Sequence, residues 1–577
     1  MAELVTLLQE SPLWLFLAGA LFVFLIPSAR LGAAVTTIVP LAALWLIWMA
    51  PDGVSALYSS AKFELTLMRV DPLSRVFGTI FAIAAFLCSL YAWHVRDRIQ
   101  QIATLVYAGS AIGAVFAGDM VTLFFCWEGV TLASVFLIWQ RGTEAAFRTG
   151  MRYLVWQLGA GVMLIAGIAI RYGETGALDF VSMTGGGPDT WTVGIWLIFI
   201  AVGIKCAFPL LHNWLQDAYP AATITGTVTL SAFTTHMAIY CMVRGFPGTE
   251  LLIYIGAAMA LFPLLFAEIQ NDLRRVLAYS LNVQLGFMLV GVGIGTELAL
   301  NGTVAHAVAN ILSMALLFMA VGAVMHRTGT SKASELGGLY RTMPWTMAFC
   351  VIGALSIAAF PLTSGFISRP LIVQATASNG YAWVWLALVV ASVGVLCHAG
   401  IGVVYRTFFA HDSGKRPQEA PWNMRLAMGL AALGCIFLGF APGSLHALLP
   451  YQVDFEPYAL SNVISTLQLL AFALFAFALL LRGGFVPLET QTITLDTDWF
   501  YRVFFPAIWT FSRRLVSTVY GELHRGASAL LSAGGRALSG IYGPAGPAAR
   551  VAPTGTMVLW LAVLLGVVLA LSLLDIG

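Results

Sequence analysis

Long apolar runs separated by short polar breaks fill most of this chain, and the runs match the length of a membrane-spanning helix. About 20 apolar residues cross the hydrocarbon. By that rule the sequence predicts about sixteen spans, at 12–28, 31–50, 73–93, 101–118, 119–139, 148–171, 191–212, 222–244, 250–268, 275–295, 302–326, 344–372, 381–409, 422–442, 461–482 and 555–576. The expected fold class is all-α, a polytopic membrane protein. Proline and glycine interrupt two runs in comparable ways, in "KCAFPLLHNW" (205–214) and "FPLTSGFISRP" (360–370). Proline removes a helix hydrogen bond and clashes with the preceding turn, so each run reads as a broken helix. Paired breaks in two halves of a chain point to inverted repeats and a transport path, although Phe-Pro-Leu recurs at 262–264 and proline kinks also serve packing.

The stretch 483–554 departs from this pattern. Over 503–538, apolar residues alternate with Arg513, Arg514, Glu522, His524, Arg525 and Arg536 at helical spacing. That predicts an amphipathic helix lying on the cytoplasmic membrane surface before the last span; a disordered loop is the alternative. The expected organisation is N-terminal spans (1–100), two halves (101–244 and 250–409), C-terminal spans (422–482), the surface helix and its linker (488–554) and the last span (555–577).

Composition agrees with lipid as the solvent. Of 577 residues, 59% are hydrophobic and 10% charged, where soluble domains carry about a quarter charged. A net charge of +2 excludes a nucleic-acid partner. The seven cysteines all fall in apolar segments with no CxxC pair and read as core residues. Glu3 and Glu10 precede the first run, where a signal peptide would carry a basic flank, so that run is expected to be a retained span. Of the 29 Lys and Arg residues, an outside N-terminus puts 22 on the cytoplasmic side and 5 outside. The positive-inside rule then orients both termini outward, as in a bacterial inner membrane.

Few ionisable residues remain inside the spans: Glu128, Lys205, His236, His306, Arg369 and His398, with Asp119 near an outer end. Charges at membrane depth are costly and usually mark function. Lys205 is the only lysine within a span, in a chain that otherwise prefers arginine. Arginine does not deprotonate at accessible pH, whereas desolvation tunes a buried lysine. A Glu128–Lys205 pair would therefore act as a proton switch set by distance; a permanent structural ion pair is the alternative. Histidine relays protons near neutrality, but His236 and His306 are equally readable as packing residues, and His398 is the weakest candidate of the three. Arg369 can act only as a fixed charge or snorkel to the interface. Phosphate loops, metal-spaced His/Cys clusters and nucleophile motifs are missing from the sequence, so no metal or cofactor and no activity as a lone enzyme is expected.

These residues lie in stretches with a specific likeness. "FCWEGVTLASVFLI" (125–138), "KCAFPLLHNWLQDAYPAA" (205–222), "NDLRRVLAYSLNVQLGFMLVGVG" (271–293), "HAVANILSMALLFMAVG" (306–322), "LGGLYRTMP" (336–344) and "FPLTSGFISRPLI" (360–372) carry it. The chain resembles the antiporter-like subunits shared by Mrp-type cation/proton antiporters and the membrane arm of respiratory complex I. The resemblance covers about 100–410, and "LDTDWFYR" (495–502) looks closest to the D-type Mrp subunit. It implies two inverted five-helix repeats, each with a broken helix, and a hydrophilic axis along the membrane midplane. Glu128 matches the family's glutamate and Lys205 its broken-helix lysine, while His236 stands where lysine is usual. Where the family has a second histidine and then a lysine, this chain has Asn310 and Met314; where its second break ends in lysine, this chain has Arg369.

The function expected is proton translocation within a multisubunit membrane complex, either cation/proton antiport or redox-driven pumping in an NADH:quinone oxidoreductase-like translocase. Glu128, Lys205, His236 and His306 would form the path, with Arg369, His398 and Asp119 secondary. The partners implied are the bilayer, other membrane subunits, and protons with Na+ or K+. A scaffold subunit without its own path, and a membrane subunit of an inorganic-carbon uptake or hydrogenase-type complex, are the alternatives.

Overall fold

A computed structural model describes residues 11–60, 63–185, 187–483, 496–550 and 553–574. The polar start of the expected surface segment, 488–495, lies outside the described residues. Helices α1 (Pro12–Leu25) and α2 (Ala29–Met49) lead into an antiparallel hairpin, β1 (Gly53–Ser60) and β2 (Phe63–Val70). This hairpin departs from the all-α expectation: 53–70 alternates apolar and polar residues too briefly to register as a span. Its Arg69 and the Arg244 guanidinium both pair with Asp71. Burial raises the Asp71 carboxyl, but Arg244, the Ser74 backbone amide and Arg69 outweigh it and hold the group below the usual carboxylate range.

Next come α3 (Pro72–Tyr91), α4 (Arg98–Phe116), α5 (Met120–Trp139), α6 (Glu144–Thr175), α7 (Val193–Lys205), α8 (Asn213–Ala221), α9 (Ile224–Ala232) and α10 (Thr234–Gly245). A second series follows: α11 (Glu250–Ile269), α12 (Leu273–Ile294), α13 (Glu297–Thr328), α14 (Pro344–Ile357), α15 (Ser364–Ser378) and α16 (Ala382–Val395), the last running on through π-helical turns at Leu396–Gly402 and Tyr405–Phe409. Helices α17 (Trp422–Phe440), α18 (Pro442–His446) and α19 (Leu460–Arg482) close this part.

Among the described residues, 12 helices are long and apolar enough to cross a membrane. The four other expected spans are short or interrupted. Helix α1 has 14 residues, 191–212 breaks after Lys205, 222–244 divides at Phe233, and 344–372 breaks after Ile357. A length rule counts each as one run because it reads apolarity and not backbone direction. Helices α12 and α13 form the centre of the core, 94% buried over their apolar windows. Six of the seven cysteines are buried and all are unbridged, in keeping with their reading as core residues.

The two series repeat each other in detail. Helices α6 and α13 both have 32 residues, a threonine N-cap (Thr143, Thr296) and a left-handed glycine after the last turn (Gly176, Gly329). Helices α5 and α12 both start at an aspartate N-cap, Asp119 and Asp272, each in an isolated bridge to a later loop. The breaks repeat as well. Ala207-Phe208-Pro209-Leu210 and Ala359-Phe360-Pro361-Leu362 carry positive φ at the same two places, 59° and 69° in one and 60° and 71° in the other. Phe208 and Phe360 each donate their N–H to the carbonyl five residues back, Gly203 and Leu355.

The chain divides into two compact units, 1–496 and 497–577. The second contains α20 (Phe505–Tyr542) and α21 (Thr554–Leu574). Helix α20 is the expected amphipathic helix, 38 residues long, with Ile508, Trp509, Val516 and Leu523 exposed.

Candidate functional site

Lys205 is the last residue of α7, where the break turns the backbone away. A cation here faces the negative end of the helix dipole. The side chain is 0% exposed. Its Nζ donates to the Trp127 carbonyl at 3.2 Å and to Thr131 Oγ1 at 3.0 Å, and sits 4.3 Å from the centroid of the Trp127 indole. A cation–π contact of this kind is strongest when desolvated. Glu128 lies beside this set, one residue after Trp127 on α5. The two charges form no ion pair within 4.0 Å among the described residues: the ammonium rests on neutral acceptors, while Glu128 Oε1 is buried without a hydrogen-bond partner. The carboxylate packs on α6 where Gly161 leaves room for it. A Cβ at that glycine would overlap Glu128 Oε1.

A second cluster centres on His236 of α10 and His306 of α13. His236 Nε2 meets the Asn310 amide nitrogen at 3.0 Å. With that N–H donating, the imidazole's own proton sits on Nδ1. One helical turn from Asn310, His306 Nε2 donates to Gln284 Oε1 at 2.9 Å and Nδ1 accepts from Ser368 at 3.1 Å. Arg369 follows Ser368; it is 5% exposed, hydrogen-bonded to the Ile357 carbonyl and 5.4 Å from the Phe287 ring. His236 is thus joined to Asn310, and His306, one turn away, to Ser368 beside Arg369, while Lys205 with Glu128 form a separate group. No hydrogen bond joins Lys205 to His236 among the described residues.

Two candidates stand apart. Asp119 caps α5: it accepts from the backbone N–H groups of Val121, Thr122 and Thr66 and from the Thr122 hydroxyl, at 2.7–2.8 Å. Four donors hold its side chain in place as the helix cap. His398 is fully buried in the π-helical turn, with neither ring nitrogen bonded to a side chain.

Sequence reasoning missed several polar members. Gln157, Asn282 and Gln216 are buried with both side-chain polar atoms unpartnered among the described residues. Single amides in apolar runs carry no spacing signal; only the fold reveals that they are buried. Asp496 was also missed. Its carboxylate accepts from Tyr279 at 2.6 Å and lies 3.3 Å from His212 Nε2, just past the first break.

Comparison with known proteins gives the site a context. Residues 117–394 match the family described as NADH:quinone oxidoreductase/Mrp antiporter, transmembrane. The D-type subunit of the Na(+)/H(+) antiporter of Alkalihalophilus pseudofirmus is 30% identical over 414 residues, covering 68% of this chain and 82% of the relative. Two solved structures share the fold: the Mrp complex from a Dietzia species (TM-score 0.70, 20% identity, 80% of this chain and 99% of that one) and an archaeal membrane-bound sulfane sulfur reductase (TM-score 0.71, 22% identity, 97% and 99%).

Proposed function

The chain belongs to the family of NADH:quinone oxidoreductase and Mrp antiporter transmembrane subunits, and from that premise we propose that it carries protons across the membrane as one subunit of a hetero-oligomeric complex. The observation that carries the reading is Lys205, a fully buried ammonium at a helix break with only neutral acceptors in contact. A lysine in such a place can change its charge when its surroundings shift. Glu128 is the acid that changes that balance. When the carboxylate approaches, the charged lysine is favoured; when it withdraws toward Gly161, the proton leaves. His236, Asn310 and His306 continue the path, with Gln157 and Asn282 as sites that hydrate it, since buried amides of this kind are usually satisfied by ordered water.

The matched caps and breaks support an inverted pair of repeats, 101–244 and 250–409, with both termini on the outer face of a bacterial inner membrane. The antiporter and respiratory relatives make Na+ or K+ the candidate coupling ion and other membrane subunits the partners. The test is proton flux in vesicles carrying the complete complex. Lys205→Ala reduces flux to background while assembly is unchanged; wild-type flux from a properly assembled variant would overturn the role.

A second reading, a coupling subunit without its own full path, draws on one observation. Arg369, which does not deprotonate, holds the cationic place in the second half.

A further inference from the structure

The second half contains a buried cation without an acid beside it. Arg369 donates to the Ile357 carbonyl and lies over Phe287, its Nε has no partner, and no carboxylate pairs with it among the described residues. Arginine does not relieve such burial by losing its proton, and a buried ion is normally paired. Arg369 is one of the residues lining a cavity of about 320 Å³ between α15, α16 with its π-helical end, and α19. Gln374 and Thr466 also line this cavity and carry no side-chain hydrogen bond among the described residues, while Ser392, Asn462 and Ser465 add further polar atoms between apolar residues such as Leu396 and Leu470.

We propose that this cavity binds a small inorganic anion of the halide class, held by Arg369 as its counter-ion. The volume matches roughly ten waters at about 30 Å³ each, which suits a partly hydrated halide. The amide of Gln374 and the hydroxyl of Thr466 supply N–H and O–H donors, the chemistry an anion needs. The inference does not rest on the proton path proposed above. It gives the second half a bound anion in the role that Glu128 has in the first.

The test uses the full-length chain in its purified membrane complex, in nanodiscs of neutral lipid. The thermal unfolding midpoint is followed as sodium chloride replaces sodium gluconate at constant ionic strength. The wild-type midpoint rises saturably with chloride, bromide substitutes for it, and Arg369→Gln flattens the response. Thr466→Leu fills the cavity but leaves the guanidinium in place, so it raises the half-saturating chloride concentration about tenfold and decides the matter should Arg369→Gln not fold. A flat wild-type response, or an equal rise in Thr466→Leu and wild type, overturns the proposal. So does a response that appears only with vesicles containing phosphatidylglycerol, which would assign the cavity to a lipid.

Discussion

The stretches 101–244 and 250–409 carry matching caps and breaks and differ in charge. Aligned on the breaks, Ala207 corresponds to Ala359. Lys205 then corresponds to Ile357, and Asp217 to Arg369. Aligned on the aspartate and threonine caps, Glu128 corresponds to Leu281 and Gly161 to Met314. So the titratable pair of the first half becomes an aliphatic pair in the second. The cation reappears there from the other side of the break: Arg369 donates to the carbonyl of Ile357, the residue that stands where Lys205 does. One scaffold thus holds a cation that can lose its proton and one that cannot, and each break end receives a positive charge whatever its source.

The sharpest way to break this comparison is to exchange the cations. Lys205→Arg keeps the charge and removes deprotonation, so proton flux falls about a hundredfold in reconstituted complex. Arg369→Lys preserves a cation at the second break and changes flux by less than about threefold. Equal losses from the two exchanges would mean that both positions serve only as fixed charges.

The next effect concerns the acid. Gly161→Ala puts a methyl where Glu128 Oε1 now lies. The flexible carboxylate moves and the helices stay, so assembly is normal while flux drops about tenfold, the size expected from a misplaced reacting group. Met314→Ala at the corresponding place has no carboxylate to displace and leaves flux unchanged. Flux measured across pH separates a displaced acid from a misfolded helix, because only the former shifts the profile.

How much of this was legible in the sequence depends on which residues carry a local signal. The breaks were legible, since proline acts on the backbone wherever it sits, and the isolated lysine stood out against an arginine background. The repeat of caps was not, because a threonine before a helix is common and becomes informative only when helix lengths coincide. The register that pairs Glu128 with Leu281 follows from Asp119 and Asp272, and neither aspartate looks like a ruler in one dimension. Asp496 was unreadable for a different reason: its partners His212 and Tyr279 are more than 200 residues away in sequence.

That carboxylate lies on the seam, touching His212 from one half and Tyr279 from the other. Hydrogen bonds to a charged group contribute about 1.5–3 kcal/mol, so Asp496→Ala lowers the thermal stability of the purified complex by about that much. His212→Gln and Tyr279→Phe each lower it by a part. A double variant that loses the full sum of the singles would show that the two contacts act independently.

The smallest effect tests what the halves have in common. Leu210 and Leu362 sit at φ values of 69° and 71°, the left-handed region that side chains with a Cβ rarely adopt. That conformation costs an L-residue roughly 1–2 kcal/mol, while glycine gives back about 0.5–1 kcal/mol through the greater freedom of the unfolded chain. The difference favours glycine by about 0.5 kcal/mol. Leu210→Gly and Leu362→Gly each raise the unfolding midpoint slightly, and by similar amounts. Unequal responses would mean that one break is held by its side-chain packing and the other by its backbone, and the halves would then differ in mechanics as well as in charge.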